Sequence, residues 1–316
     1  MQYRDFGRTG IKVSCIGYGT NMLGRRPSAD DASAGDRPGD RERTTDDYYV
    51  SMVHAALDEG VNLFDTANSY QDGRSEELLG RALEGRRDGV LIATKCGSRS
   101  RDFSAAGIRR ELAESLRRLR TDYVDVLQLH NPSLEELQGA DWLEGMEALK
   151  AEGRLRVVGV SVRTPADGVW LLEHAPVEAL QVGLNIFMPE ARDGLLALAA
   201  EKGAGVLARV PLARGLLSGK YGSDSSFPEG DWHRRGFVGE PEEMLHRIDH
   251  LNSLADEEEM RTAQLALRWV LCHPDVSAAI PGAKSVEHVR ENAEAGAAGP
   301  LPEELYDRVE QIAREH

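Results

Sequence analysis

Cysteine, positive charge and long apolar runs are all scarce in this chain of 316 residues. The three cysteines, Cys15, Cys96 and Cys272, form no CxxC pair and have no histidine at metal-ligand spacing, so we expect reduced, mostly buried thiols rather than disulfides or a zinc site. Acidic residues outnumber basic ones by 53 to 38, and the net charge of −15 argues against nucleic acid or an anionic membrane as partner. No run reaches the length of a membrane span, and the amino terminus has no signal-peptide pattern. We expect a cytoplasmic protein.

Several catalytic signatures are also missing from the sequence. The glycine-rich turn after the first strand, residues 17–22, lacks the third glycine of the dinucleotide-binding fingerprint and continues into a loop rather than a helix. The sequence contains no P-loop, HExxH or GxSxG motif. The failed fingerprint argues against an open doubly wound sheet, which is the main alternative to the fold that the pattern of segments favours.

Strand-like and helix-like segments alternate along most of the chain. About eight strands are expected, centred near Ile16, Leu63, Leu91, Leu127, Val158, Val182, Leu207 and Ala279. Helix-length segments separate them, which predicts a single (β/α)8 barrel domain over residues 1–316, an α/β fold. An N-terminal β-hairpin over residues 3–13 precedes the barrel, and extra helices close the chain. Residues 25–46 and 219–256 are predicted to be long loops, the second an insertion over one face.

Ionisable side chains end three successive predicted strands. Asp65, Lys95 and His130 each stand at the carboxyl end of a strand, and Tyr70 lies in the loop just after Asp65. Because the strand ends of a closed barrel converge on one rim, we expect all four side chains to face one cavity. The alternative interpretation is structural, with turn caps, a half-buried tyrosine and a salt-bridge network.

The four residue types suit proton transfer to or from an oxygen atom. Lys95 would stabilise the phenolate of Tyr70, and Asp65 would hold Lys95 charged and oriented. His130 would hydrogen-bond the substrate oxygen. This chemistry needs neither a metal ion nor a nucleophile.

Five motifs in order resemble the aldo-keto reductase family, from the hairpin to near the carboxyl terminus. They are GVNLFDTANSY at 60–70, ATK at 93–95, DVLQLH at 125–130, VPLARGLLSGK at 210–220 and IPGAKS at 280–285. The resemblance implies an oxidoreductase that reduces an aldehyde or ketone with NADPH, and its catalytic tetrad falls on Asp65, Tyr70, Lys95 and His130. The alternative is a regulatory or interaction subunit on the same barrel, similar to the potassium-channel β subunits, but the intact tetrad favours turnover.

The resemblance also implies where NADPH would lie, extended across the rim without a doubly wound domain. Gly19, Thr20 and Asp65 would approach it at the first two strand ends, and Ser161 and Gln181 would hold the nicotinamide carboxamide. The remaining cofactor residues are the pyrophosphate-loop and adenosine-end positions Pro211, Leu212, Gly215, Lys220, Gly282, Lys284, His288, Glu291 and Asn292. Lys284 is placed to pair with a 2′-phosphate.

Three positions depart from the family's pattern. Val162 stands where asparagine commonly follows the serine, which removes one hydrogen bond to the carboxamide. Arg209 stands where an aromatic ring usually stacks on the nicotinamide; a planar guanidinium can also stack, but it places positive charge beside a ring that becomes cationic on oxidation. His288 replaces glutamine or arginine and leaves the preference for NADPH over NADH open. The sequence indicates neither the substrate nor the oligomeric state.

Overall fold

The computed structural model describes residues 1–25 and 44–314, so most of the predicted loop at 25–46 lies outside the described residues. Two short antiparallel strands, β1 (Tyr3–Asp5) and β2 (Lys12–Ser14), form the predicted hairpin. The barrel strands that follow are β3 (Tyr18–Gly19), β4 (Leu63–Asp65), β5 (Leu91–Cys96), β6 (Val124–His130), β7 (Leu155–Ser161), β8 (Ala179–Gly183), β9 (Gly205–Arg209) and β10 (Ala278–Ala279).

Helices connect these strands on the outside of the barrel. They are α1 (Asp46–Asp58), α2 (Arg74–Ala82), α3 (Ala105–Leu119), α4 (Leu134–Gln138), α5 (Trp142–Ala151), α6 (Pro165–His174), α7 (Leu195–Lys202), α8 (Pro241–Glu257), α9 (Thr262–Leu271), α10 (Val286–Ala298) and α11 (Glu303–Ala313). Among the described helices, none is long and apolar enough to cross a membrane.

The strands β3 to β10 pair in parallel in chain order, and the sheet closes on itself. Closure is made by parallel bridges from Ile16 to Ala279 and from Gly19 to Gly282. The predicted (β/α)8 barrel with an N-terminal hairpin and extra helices is therefore confirmed. Closure brings all the strand ends to one rim, which is the condition that the predicted site requires.

The hairpin fills one end of the barrel. Phe6, Ile11 and Val13 are buried in one cluster with interior residues of the strands. Gly205, at the start of β9, provides the space, since a Cβ atom there would lie 2.4 Å from the ring of Phe6. The amino-terminal end is thus plugged by apolar side chains, and the carboxyl-terminal end is left for polar ones.

Three local expectations were wrong. The sequence of residues 190–202 predicts one helix, but it is split because Gly194 has a φ of 98°, and only α7 after it is α-helical. The sequence also offers Ser75 as the cap of the second helix, but α2 begins at Arg74 and Ser75 is buried. The stretch 219–256 is not irregular throughout, because Met244, Leu245, Ile248 and Leu251 give α8 a buried face.

Candidate active site

The predicted tetrad assembles at the carboxyl-terminal rim of the barrel. Asp65 ends β4, Lys95 lies next to the end of β5 and His130 ends β6. Tyr70 opens a short 3-10 turn after β4. Together with residues of other strand ends, Asp65, Tyr70 and His130 line a cavity of about 350 Å³. Three of the four side chains expected at the cavity therefore line it. Lys95 does not line the cavity but lies buried against Asp65 and Tyr70.

The Lys95 ammonium uses all three of its hydrogens on the tetrad and its loop. Its Nζ lies 2.5 Å from Asp65 Oδ1, 2.8 Å from the carbonyl oxygen of Thr66 and 3.4 Å from Tyr70 Oη. Lys95 is only 1% exposed. Burial acts to lower the pKa of this ammonium, but the attraction of Asp65 and Tyr70 outweighs burial and raises the pKa. The cation beside Tyr70 therefore persists at neutral pH.

His130 is a neutral imidazole on the other side of Tyr70. The two rings meet edge to face with their centroids 5.9 Å apart. Burial first, and then the positive charges of Lys95, Arg209 and Arg101, lower the pKa of His130 to about 3. Its Nδ1 is buried, and no described residue bonds to it. A neutral ring has one N–H to donate, which suits a ligand oxygen in the cavity.

The second carboxylate oxygen of Asp65 is held by two amides that the sequence did not link to it. Gln128 Nε2 donates to Oδ2 at 3.1 Å and Gln181 Nε2 donates to the same oxygen at 2.7 Å. Gln181 was predicted to hold a carboxamide, and it does line the cavity. Gln128 was missed. The only sequence signal was one polar residue inside an apolar strand.

Asn131 lines the cavity and was not predicted from the sequence. Ser161 Oγ donates to Asn131 Oδ1 at 2.9 Å, so a side-chain amide stands beside the serine despite the departure at Val162. The backbone of Asn131 has a φ of 52°, a conformation that asparagine tolerates better than most residues. Residue type alone does not predict this geometry.

Arg209 ends β9 at the cavity wall. Its Nη2 donates to the carbonyl oxygen of Val162 at 3.1 Å, which fixes the guanidinium across the rim. Its Nε is buried without a partner among the described residues. In the loop that follows, Val210 (φ 51°) and Arg214 (φ 59°) adopt left-handed backbone conformations, which are strained for side chains of this size and concentrate at functional sites.

Most of the predicted cofactor positions face this cavity. Those that line it are Gly19, Asp65, Ser161, Gln181, Arg209, Pro211, Leu212, Gly215, Gly282 and Lys284. Asn21, Met22, Arg214 and Trp232 also line it and were not predicted. Arg209, Arg214 and Lys284 give the cavity positive charge, although the net charge of the protein is −15. The negative charge of Asp65 in the lining is balanced by its ion pair with Lys95, so the cavity suits an anionic ligand.

Five predicted positions lie outside the cavity wall: Thr20, Lys220, His288, Glu291 and Asn292. Thr20 is fully buried, and its hydroxyl bonds to Ser75 and to the carbonyl oxygen of Asp65. Glu291 forms an ion pair with Arg261, and Asn292 donates to the carbonyl oxygen of Gly282. Burial, and then the positive charge of Lys220, lower the pKa of His288.

Comparison with known proteins agrees with this fold. The model of the aldo/keto reductase family matches residues 15–314. Aldo-keto reductase YhdN of Bacillus subtilis (strain 168) is 32% identical over 304 residues, covering 90% of this chain and 85% of that protein. The holo form of aldo-keto reductase AKR11C1 from Bacillus halodurans has a TM-score of 0.81 and 28% identity, covering 99% of this chain and 97% of that one.

A similarity to a protein of another kind bears on the alternative function. A probable voltage-gated potassium channel subunit beta of Arabidopsis thaliana is 29% identical over 349 residues, covering 99% of this chain and 96% of that protein. The fold and rim define a barrel oxidoreductase, and the chain belongs to the aldo/keto reductase family. This family reduces small-molecule carbonyl compounds with a nicotinamide cofactor.

Proposed function

We propose that this protein is an NADPH-dependent reductase of aldehydes or ketones in which Tyr70 donates the proton. The observation that carries the proposal is the buried chain of Asp65, Lys95 and Tyr70, with contacts of 2.5 and 3.4 Å, opening on the rim cavity. A phenol is a weak acid, and an adjacent ammonium stabilises the phenolate that remains after proton transfer. A turn cap or a structural salt bridge would not require the Tyr70 phenol to lie beside Lys95 at the cavity.

The other three tetrad residues, Asp65, Lys95 and His130, orient the reacting groups and stabilise the charges that develop on them. Asp65 keeps Lys95 charged and in place, because a buried ammonium without a counterion loses its proton easily. His130, neutral and facing the cavity, donates a hydrogen bond to the carbonyl oxygen and polarises it. When bound, the nicotinamide ring supplies the hydride that reduces the carbonyl carbon. Tyr70 then delivers its proton to the resulting alkoxide oxygen.

The rim residues fit the cofactor's groups. Ser161 and Gln181 would hold the carboxamide, and Asn131 supplies the side-chain amide that the departure at Val162 removes. Arg209 would lie against the nicotinamide. The buried, unpartnered polar atoms His130 Nδ1 and Arg209 Nε support the view that this cavity receives a polar ligand.

The adenosine end would meet a cluster of basic side chains. Lys284 lines the cavity just before α10, and the lowered pKa of His288 reflects, after burial, the nearby charges of Lys220 and Lys284. A 2′-phosphate beside Lys284 would favour NADPH over NADH. Glu291 and Asn292 would act there through Arg261 and the 281–283 backbone rather than from the cavity wall.

The test is the consumption of NADPH with a panel of carbonyl compounds, which includes a nitrobenzaldehyde, sugars and small dicarbonyls. The proposal predicts carbonyl-dependent loss of NADPH absorbance with stoichiometric alcohol formation. Tight NADPH binding without turnover on any member of the panel would instead support a regulatory subunit, the function that the potassium-channel relative's name suggests.

A further inference from the structure

Gln128 is a buried polar residue that the proposed mechanism does not use. It lies in β6, two positions before His130, is 1% exposed and stays behind the cavity wall. Its neighbour across the β6–β7 pairing is Gly159. A Cβ atom at Gly159 would lie 3.0 Å from Gln128 Cγ. The glycine therefore provides the space in which the amide of Gln128 reaches the barrel interior.

The hydrogen-bond pattern fixes which way the neighbouring amide of Gln181 faces. A carboxylate only accepts, so both amide nitrogens must face Asp65 Oδ2. The other hydrogen of Gln181 Nε2 goes to Gln128 Oε1, at 3.1 Å. Both hydrogens of Gln181 are thereby used inside the protein. Its Oε1 receives no hydrogen bond from the described residues and remains an acceptor at the cavity.

We propose that Gln128 is a positioning residue that, together with Asp65, orients Gln181 so that an acceptor oxygen, and not an N–H, meets the amide NH2 of the cofactor's carboxamide. This proposal rests on the proposed function, which assigns the carboxamide to Gln181. The same hydrogen bonds connect the carboxamide site to Asp65, Lys95 and Tyr70. One amide thus sets the geometry of both the hydride-donating and the proton-donating halves of the site.

The test compares two cofactors that differ only in the hydrogen-bonding group concerned. In 3-acetylpyridine adenine dinucleotide phosphate, an acetyl group replaces the carboxamide, so the NH2 donor is lost and the carbonyl is kept. The parent protein should bind NADP⁺ about fivefold more tightly than the analogue, the size of one hydrogen bond. In Gln128→Met, which keeps the volume but leaves Gln181 held by Asp65 alone, this preference should fall to about twofold. Dissociation constants come from tryptophan fluorescence titration.

A second variant and a control separate orientation from folding. Gly159→Ala crowds Gln128 without removing a polar group and should lower the preference in the same direction, which provides the test if Gln128→Met does not fold. Gln138→Met, on the exposed side of α4, should leave both constants unchanged. Thermal unfolding of each variant reports its fold.

The proposal is overturned if the parent does not prefer NADP⁺ to the analogue, or if Gln128→Met, or Gly159→Ala in its place, retains the parent's preference. These titrations need no turnover. A parent protein that shows the cofactor preference but reduces no carbonyl compound would refute the proposed function and leave the role of Gln128 standing.

Discussion

At the scale of single residues, the Lys95 ammonium is the most constrained group of the site. It is buried, and its counterion Asp65 is only 2% exposed. Removing one partner of such a pair leaves a charge in a medium that solvates it poorly. The pair therefore affects both folding and catalysis, and the two effects are separable.

Lys95→Met is expected to lower the free energy of unfolding by about 3–5 kcal/mol, because Asp65 keeps a buried charge without its cation. Turnover should be almost lost, since nothing then stabilises the Tyr70 phenolate. Urea unfolding and steady-state kinetics measure the two quantities. Adding Asp65→Asn to Lys95→Met should recover much of the stability and none of the activity. If Lys95→Met alone were as stable as the parent, Asp65 and Lys95 would not form a stabilising buried ion pair.

Arg209→Tyr tests the departure from the family's aromatic position. A guanidinium against the nicotinamide disfavours the cationic oxidised ring, whereas an aromatic face attracts it. We therefore expect Arg209→Tyr to tighten NADP⁺ more than NADPH, measured as two dissociation constants by fluorescence titration. Equal shifts, or a shift that favours NADPH, would show that Arg209 does not lie against the ring.

The residues predicted from the sequence and those missed differ in a physical way. Asp65, Lys95 and His130 were predictable because each ends a strand, and a closed barrel brings strand ends together whatever the details of packing. Gln128 lies within a strand, two positions before His130, so strand alternation places both side chains on one face, but the sequence does not reveal which amide Gln128 meets. Asn131 depends on a left-handed backbone conformation at one position, which residue type alone does not determine.

At the scale of elements, α10 is the helix closest to the proposed adenosine end. Ser285 caps it by accepting from the backbone N–H of His288 at 3.3 Å, and Lys284 precedes the cap at the cavity. A helix amino terminus carries partial positive charge, so it adds to the attraction of the basic side chains for a phosphate.

Lys284→Glu is expected to weaken NADPH binding much more than NADH binding, because only NADPH carries the 2′-phosphate. The ratio of the two dissociation constants is the measured quantity. Lys202→Glu, an equal charge reversal at the exposed end of α7, is the matched control and should leave the ratio unchanged. Equal losses for the two cofactors in Lys284→Glu would place the 2′-phosphate elsewhere.

Element boundaries were predictable where capping and periodicity agree, as in α6, which Thr164 caps and Pro165 opens. Element boundaries were not predictable where the backbone conformation of a single residue decides where a helix begins or ends. Gly194 breaks the helix predicted across it through its positive φ, and α8 was concealed by the polar residues around its apolar stripe.

At the scale of the whole molecule, the two ends of the barrel differ in chemical character. The hairpin and Phe6 close one end with apolar packing, and the other end holds a set of buried polar and charged groups. Two histidines, His130 at the polar end and His273 beside Arg4 of the hairpin, link the stability of the entire chain to pH. The pKa of His130 is lowered to about 3 and that of His273 to about 4, in both cases mainly by burial.

The sign of that dependence follows from the depressed pKa values. As the pH falls below about 6.5, the unfolded chain binds protons that the folded chain does not, so the free energy of unfolding should fall with acidification. For His130 the loss is up to about 1.4 kcal/mol per pH unit. His130→Asn should be less sensitive to acid than the parent between about pH 6 and 4. Equal slopes in His130→Asn and the parent would contradict a buried neutral imidazole.

The most direct test of the account concerns Tyr70 itself. Tyr70→Phe removes the transferable proton and keeps the ring, so the dissociation constant of NADPH should stay close to that of the parent while kcat falls by about 10²- to 10⁴-fold. Tyr123→Phe, a matched change away from the cavity, should leave both quantities unchanged. Carbonyl reduction by Tyr70→Phe at close to the parent rate would show that the proton comes from another group.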